Sequence, residues 1–205
     1  MKVDKLRTVI IYIIIILLGL VCLLPLLNIV AISFSSSAAV EGNMVGLIPV
    51  GFSTAAYKKI LEDSQFWHSF LISVERVVLA LIINFVLIVL MAYPLSKTNA
   101  QFRGRNIYAN LMIFAMLFNG GMIPTFLVVK SYGLLNTVWA LVLPGAVPIF
   151  NVILVMNFFA AVPKELEEAA LIDGANPLQV LTKIFIPISK PVLATVSLFS
   201  IVGSW

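Results

Sequence analysis

Few side chains in this 205-residue chain could do chemistry, and many of them lie in one polar segment, residues 163–190. Its first half carries four carboxylates close to Gly174, namely Glu165, Glu167, Glu168 and Asp173. The single histidine, His68, and the single cysteine, Cys22, belong to no group with metal-ligand spacing, and no glycine-rich phosphate loop of the Walker type occurs. The sequence therefore predicts no metal, no cofactor and no catalytic residue. Any ATP chemistry must come from another chain.

The polar segment predicts two short helices separated by a turn. Pro163 suits the first position of the first helix, and the glutamates that follow favour the positive end of its dipole. Gly174 can adopt the left-handed conformation that ends a helix. Asn176 is a good N-cap for the second helix, with Pro177 at its first position.

The first of these helices would carry a small apolar face. Leu166, Ala169 and Ala170 share one side of it at spacings i, i+3 and i+4. Small side chains would let another protein approach closely, and Glu168 beside them could pair with a basic group on that protein. The same pattern also suits a connector that lies on the membrane surface. Local physics leaves these two roles equally open.

The elements around this segment are strongly apolar. Hydrophobic residues make up 61% of the sequence and charged residues 11%, whereas a soluble domain carries about 25% charged residues. Because about 20 apolar residues cross the hydrocarbon core, the predicted spans are 9–33, 70–95, 107–129 and 137–161. The first run is too long for the apolar core of a signal peptide, which has about 7–15 residues. A fifth run begins at Pro191 and stops after 15 residues, so we expect a fragment that ends within a helix.

Basic residues predict the orientation of the spans. With the N-terminus in the cytoplasm, nine Lys and Arg residues lie on the inner side and four on the outer side. The inner residues are Lys2, Lys5, Arg7, Lys97, Arg103, Arg105, Lys164, Lys183 and Lys190. The outer residues are Lys58, Lys59, Arg76 and Lys130. The polar segment 163–190 is therefore predicted to be cytoplasmic.

Polar residues within the spans are candidates for contact with a solute. Asn84 lies mid-span, where it could face a translocation path or donate a hydrogen bond to a neighbouring helix. Asn119 precedes two glycines and could open the helix backbone toward a polar solute or mark a kink. Glu75 and Arg76, at the outer end of the second span, could contact a solute, although a position at the level of the lipid head groups is favoured.

The polar segment resembles the EAA motif of importer-type ABC permeases. That pattern is Glu-Ala-Ala, three residues, Gly, nine residues, Ile, any residue, Leu and Pro. The matching residues here are Glu168, Ala169, Ala170, Gly174, Ile184 and Pro187. Ile186 replaces the usual Leu, which is a mild apolar change. Asp173 beside the glycine is also usual in sugar permeases.

Three further stretches, 92–97, 118–125 and 132–137, are similar to MalG-like carbohydrate permeases of the LplC/YtcP-like branch. The resemblance implies an all-α, polytopic membrane protein with the architecture of a type I ABC importer. Residues 1–205 would form one permease domain, incomplete at its C-terminus, with about four and a half of the six helices usual in the family. The coupling loop would be 163–190.

The resemblance also implies a function and a set of partners. The chain would be a non-catalytic permease subunit in the cell membrane, forming part of a path for carbohydrate, in particular oligosaccharide. It would work with a second homologous permease, ABC ATPase subunits and an extracytoplasmic solute-binding lipoprotein. In that family, residues at the positions of Glu168, Ala169, Ala170, Asp173 and Gly174 contact the ATPase.

Two alternatives to carbohydrate import remain at this point. An importer permease for peptide, amino acid or phosphonate compounds would carry the same motif. An ion-coupled secondary transporter would ordinarily place ionisable groups near the bilayer midplane, and no Asp, Glu, Lys, Arg or His of the sequence lies at mid-depth in the predicted spans.

Overall fold

The computed structural model describes residues 2–118 and 120–205, and every regular element within these two ranges is a helix. The α-helices in chain order are α1 (Lys2–Ser33), α2 (Ser37–Glu41), α3 (Ala55–Glu62), α4 (Ser64–Ser96), α5 (Arg105–Leu117), α6 (Met122–Ser131), α7 (Val138–Val142), α8 (Ile149–Ala160), α9 (Lys164–Ile172), α10 (Pro177–Val180), α11 (Ile186–Ile188) and α12 (Lys190–Ser204). A 3₁₀ turn (Leu143–Gly145) follows α7, and a π-helical turn (Leu181–Phe185) joins α10 to α11. The predicted all-α fold class is confirmed.

The described chain divides into two compact units, with the boundary in the sequence between Ser69 and Phe70. In the first unit, α1 is apolar all round over residues 9–27, and the side chains of this stretch are exposed, as expected of a helix surrounded by lipid. The loop after α1 folds back onto the end of the helix. The Asn28 side chain donates to the carbonyl of Gly46 (2.7 Å), and the Tyr57 hydroxyl of α3 donates to the Ser33 hydroxyl (2.8 Å).

The second unit is built on α4, whose buried side chains form one stripe. These are Val77, Ala80, Asn84, Ile88, Val89, Ala92 and Leu95. Their spacing of mostly three or four residues places them on the same face of the helix. The stripe packs against apolar side chains of α8, of the α10–π turn segment and of α12, which include Val152, Val155, Phe159, Val180, Leu181, Phe185, Val192, Leu193 and Val196. The core therefore lies where these segments meet.

Two helices are long and apolar enough to cross a membrane without a break, Arg7–Ser33 and Ser64–Ser96. They correspond to the predicted spans 9–33 and 70–95. Three further candidates are helix pairs, each bent by more than 40° at a short break, so five spans are reached if each pair counts as one. Two of the pairs correspond to the predicted spans 107–129 and 137–161. The third, Pro177–Ile188 with Lys190–Ser204, begins 14 residues before the predicted fifth run and includes part of the predicted coupling loop.

Proline explains the bend in the predicted span 137–161. Pro144 and Pro148 lie inside that run, and the structure divides it into α7, the 3₁₀ turn and α8, with a bend of 47°. Proline lacks the N–H that would continue the helical ladder, and its ring clashes with the preceding turn. The predicted span 107–129 is also divided, into α5 and α6, and Gly121 precedes α6 with a φ of +83°.

Candidate functional site

Helix α9 begins one residue later than the sequence predicts. Pro163 has an extended ψ of 130° and is the N-cap, so Lys164 occupies the first helical position. The expectation that Pro163 would be the first helical residue is therefore wrong, because the φ of −56° that proline imposes also suits the residue just before a helix. Glu165 and Glu167 lie in the first turn, where the helix dipole favours negative charge.

The end of α9 is stabilised by a Schellman motif at Gly174, which has a φ of +82°, as predicted. Asp173 is the last, half-helical residue. The N–H of Gly174 donates to the carbonyl of Leu171 (3.1 Å), and the N–H of Ala175 donates to that of Ala170 (2.9 Å). These bonds satisfy carbonyls that the helix end would otherwise leave free.

The second predicted helix begins with a complete capping box. The Asn176 side chain accepts from the backbone N–H of Gln179 (2.9 Å), and the Gln179 side chain accepts from that of Asn176 (2.9 Å). Pro177 occupies the first turn, as predicted. The turn from Gly174 to Asn176 thus fixes the angle between α9 and α10 by local bonds alone.

One side of α9 faces the core, and the side chains on another side are exposed. Ala170 packs against the core, whereas Glu168 and Ala169 are exposed. Ile172 is 86% exposed, an unusual state for so large an apolar side chain, and Leu166 is 44% exposed. Ile172 lies four residues after Glu168 and three after Ala169, so the three share a face. An exposed apolar side chain beside a carboxylate can pack into a cleft that has a basic group at its rim.

Glu167, rather than Glu168, joins α9 to the end of α4. The Lys97 ammonium lies 2.6 Å from a Glu167 carboxylate oxygen, and the two side chains are only 12% and 14% exposed. Lys97 also lies over the rings of Tyr93 (4.1 Å to the centroid) and Phe185 (4.3 Å). The faces of aromatic rings attract a cation, so Lys97 is held by three groups from three segments.

The aromatic rings around Lys97 continue into the core. Phe185, in the π-helical turn, packs edge-to-face against Tyr93 of α4 (centroids 5.2 Å apart) and against Phe159 of α8 (5.4 Å). Edge-to-face pairs at these distances are favourable arrangements of the ring quadrupoles. The ion pair therefore lies at the junction of α4, α8, α9 and the π-helical turn.

A polar pocket of about 190 Å³ lies between α4, the α7–α8 connection and α12. Its polar lining consists of Arg76, Asn84, Asn151, Ser200 and Ser204. Asn84, Asn151 and Ser200 are almost fully buried, with 5–6% of their surface exposed. This polar pocket is set in otherwise apolar helices, which makes it distinct from the apolar grooves elsewhere on the described chain.

The structure contains a hydrogen bond of the kind expected for Asn84, whereas its place on a translocation path stays a prediction. Asn84 lines the polar pocket, and its amide nitrogen, in the orientation that satisfies its surroundings, donates to the carbonyls of Ala146 (3.0 Å) and Ala80 (3.2 Å). The sequence favoured a position at the lipid head groups for both Glu75 and Arg76. In the structure Glu75 is exposed, whereas Arg76 lines the polar pocket. Asn119, the other candidate for the translocation path, lies outside the described residues.

Residues 48–205 match the family model described as the binding-protein-dependent transport system inner membrane component. The chain belongs to this family. It is 45% identical over 187 residues to the protein LplC of Bacillus subtilis (strain 168), covering 91% of this chain and 63% of LplC. It is 43% identical over 202 residues to the polygalacturonan/rhamnogalacturonan transport system permease protein YtcP of the same organism, covering 98% of this chain and 70% of YtcP.

A solved structure shows the same permease fold. It is the crystal structure of a bacterial ABC transporter involved in the import of the acidic polysaccharide alginate, with a TM-score of 0.88 and 36% identity. The match covers 100% of this chain and 72% of that one. The family, the ABC importer permease fold and the location in a membrane are therefore established. The resemblance drawn from the EAA motif identified the family correctly.

Sequence reasoning missed three residues of the α9 site, and it also missed Asn151, Ser200 and Ser204 of the polar pocket. Ile172 could have been found from the sequence, since its spacing from Glu168 and Ala169 places it on the same helix face. The contact between Lys97 and Glu167 could not, because 70 residues separate them and no local sequence pattern joins them. Glu168 was the more prominent candidate because it belongs to the recognised motif.

Proposed function

We propose that this chain is a permease subunit of an ATP-driven importer that takes up carbohydrate, in particular oligosaccharide. Support comes from relatives at 43–45% identity, one of which is named for the transport of polygalacturonan and rhamnogalacturonan. Since the chain spans 63% of the length of LplC and 70% of that of YtcP, the activity belongs to the whole protein. Residues 1–205 form a single permease domain in this proposal, and 163–190 is its cytoplasmic coupling loop.

The proposed partners are those of a binding-protein-dependent transport system, the family to which the chain belongs. ATP hydrolysis resides in separate ABC ATPase subunits in this proposal, and residues 1–205 contain no Walker-type phosphate loop. A second, homologous permease completes the path through the membrane, and an extracytoplasmic solute-binding protein delivers the sugar. The chain itself is non-catalytic, and its role is to bind these partners and change conformation.

Coupling to ATP hydrolysis runs through α9 in this proposal. The exposed face of Glu168, Ala169 and Ile172 docks on an ATPase subunit, with Asp173 and Gly174 fixing where the helix ends. The observation that carries this step is the enclosed contact between Lys97 and Glu167, 2.6 Å long, which joins α9 to α4. Movement of the docked helix would therefore be passed to a membrane span rather than absorbed by a free loop.

The docking face can be tested in the complete importer, reconstituted into vesicles with its ATPase and binding protein. Replacing Ile172 by Arg removes the apolar contact with the ATPase. It introduces a cation near the C-terminus of α9, where the helix dipole favours positive charge, so the helix itself should remain stable. Burial of one isoleucine contributes about 1.5–3 kcal/mol, so we expect association with the ATPase to fall at least about tenfold. Ile172→Val is the matched control and should retain most of the activity.

Three readouts separate docking from misfolding: abundance of the permease in the membrane, retention of the ATPase during purification, and sugar-stimulated ATP hydrolysis. Ile172→Arg and Glu168→Lys should keep the first and lose the other two. Normal stimulation in both variants would show that α9 is only a connector. Stimulation by a peptide or an amino acid instead of a sugar would contradict the proposed substrate.

A further inference from the structure

We propose that the polar pocket recognises an anionic sugar unit, with the Arg76 guanidinium binding its carboxylate. This inference rests on the proposed function, since it assigns a subsite on the path of an imported carbohydrate. Three separate segments build the pocket: Arg76 and Asn84 come from α4, Asn151 from α8, and Ser200 and Ser204 from α12. No local motif in the sequence brings these residues together.

Two groups at the pocket are enclosed and lack a hydrogen-bond partner among the residues that the structure describes. They are the Nε of Arg76 and the hydroxyl of Ser200, whose residue is 5% exposed. Buried polar groups are almost always hydrogen-bonded, because leaving one without a partner is costly. A guanidinium can only donate, whereas a hydroxyl can donate or accept. The group that completes this site must therefore offer acceptor oxygens to Arg76.

The charge of Arg76 points to an anion. Within the described chain, no Asp or Glu lines the pocket, and the neighbouring Glu75 is exposed. A charged side chain within a membrane span is expensive unless it faces a cavity or a partner, and such residues usually serve a function. The planar fork of a guanidinium matches the two oxygens of a carboxylate. A uronic acid supplies that carboxylate together with hydroxyls suited to Asn151, Ser200 and Ser204.

The size of the pocket indicates how much of the ligand it holds. Its volume of about 190 Å³ is smaller than the roughly 300–1,000 Å³ of sites that enclose drug-sized molecules. It would therefore hold one unit of an oligosaccharide rather than the whole chain. Arg76 lies about 9 Å inside the outer end of the predicted span 70–95 at 1.5 Å per residue, so a sugar entering from that side would reach this subsite near the start of its path.

The test uses the complete importer in proteoliposomes and two probes, trigalacturonate and its methyl ester, which differ in charge but share the same sugar rings. The binding protein is kept the same throughout, and its affinity for each probe is measured separately. For Arg76→Gln we expect the KM for trigalacturonate to rise about tenfold to a hundredfold, from the loss of a charge-assisted, two-point contact. The KM for the methyl ester should change less than about threefold. Glu75→Gln, adjacent but exposed, is the matched control and should change neither.

Arg76→Lys keeps the positive charge but cannot make two parallel hydrogen bonds to a carboxylate. It should therefore recover part of the discrimination between the two probes that Arg76→Gln loses. Equal effects of Arg76→Gln on both probes, or no effect on either, would overturn the carboxylate assignment. Loss of bound anionic lipid from the purified Arg76→Gln permease, with both probes affected alike, would assign the pocket to a lipid phosphate instead. Import of neutral sugars alone by the unaltered importer would refute this inference but leave the proposed function intact, whereas import of no sugar would refute both.

Discussion

Position 174 shows how one backbone conformation can control a much larger movement. Gly174 has a φ of +82°, and a Cβ built there would meet no atom within 4 Å. Space is therefore not what requires glycine at this position. The left-handed conformation is required, and it aligns the two hydrogen bonds that end α9.

Substitutions at Gly174 should separate conformation from volume. Valine is strongly disfavoured at this φ, at a cost of about 1–3 kcal/mol, and the helix end should refold into another geometry. Asparagine tolerates the left-handed region and is similar in size, so it is the matched control. We expect Gly174→Val to reach the membrane normally but to lose most sugar-stimulated ATP hydrolysis, while Gly174→Asn keeps most of it. Equal activity of the two variants would show that the φ of this residue is not important for coupling.

The residues that sequence reasoning predicted correctly depend on their immediate neighbours. Gly174, Asn176 and Pro177 act within one turn of the chain, where the stereochemistry of each residue type decides the outcome. The contact between Lys97 and Glu167 could not be predicted, since it depends on how α4 and α9 pack. Pro163 was misplaced by one residue because proline suits both the N-cap and the first helical position.

Among the helices, α9 is held by two contacts in its middle, the ion pair of Glu167 and the packing of Ala170 on the core, rather than by a buried face. All of its residues except Glu167 and Ala170 are exposed, and Glu167 is fixed by Lys97. The first four expected spans overlap apolar helices or bent helix pairs of the structure, but two of them are not straight helices. Runs of apolar residues show where a membrane can be crossed, whereas the bend between α7 and α8 also depends on how neighbouring helices satisfy the free carbonyls near Pro144 and Pro148.

The link between α4 and α9 predicts a particular pattern in a charge exchange. Glu167→Lys places two cations together, and Lys97→Glu places two carboxylates together, so each should weaken coupling. Removing one partner of a mostly enclosed, charge-assisted contact costs about 1–3 kcal/mol. The double exchange restores opposite charges, but it sets a carboxylate over the faces of Tyr93 and Phe185, which repel it. We therefore expect only partial recovery of sugar-stimulated ATP hydrolysis.

The control for this exchange is Glu165→Lys, which makes the same charge reversal in the same turn of α9 at an exposed side chain. It should leave stimulation within about twofold of normal, as expected for an exposed charge. Two results would contradict the link: full activity of both single variants, or equal losses for Glu165→Lys and Glu167→Lys. Permease abundance in the membrane is measured alongside each.

At the scale of the whole molecule, α4 connects the two candidate sites. Arg76 at the polar pocket lies on α4, and Lys97 at the contact with α9 directly follows the last residue of that helix, about 30 Å away at 1.5 Å per residue. That distance is about the thickness of the hydrocarbon core. A helix packed along one face moves largely as a unit, so a displacement of α9 at one end can change the pocket at the other. This arrangement suits alternating access, in which the ATPase and the sugar act on opposite sides of the membrane.

That argument requires the two ends of α4 to lie on opposite sides of the membrane, which labelling can test in the full-length protein. With Cys22 replaced by Ser, single cysteines are placed at Ser64, Asn99, Thr137 or Thr182, all of them exposed. The excess of Lys and Arg on the inner side predicts that the cysteines at 64 and 137 react with an impermeant maleimide added outside. Those at 99 and 182 should react only after the membrane is opened, which also proves that each site is reachable. Outside labelling at 182 would place α9 beyond the reach of a cytoplasmic ATPase, and the proposed coupling would then be untenable.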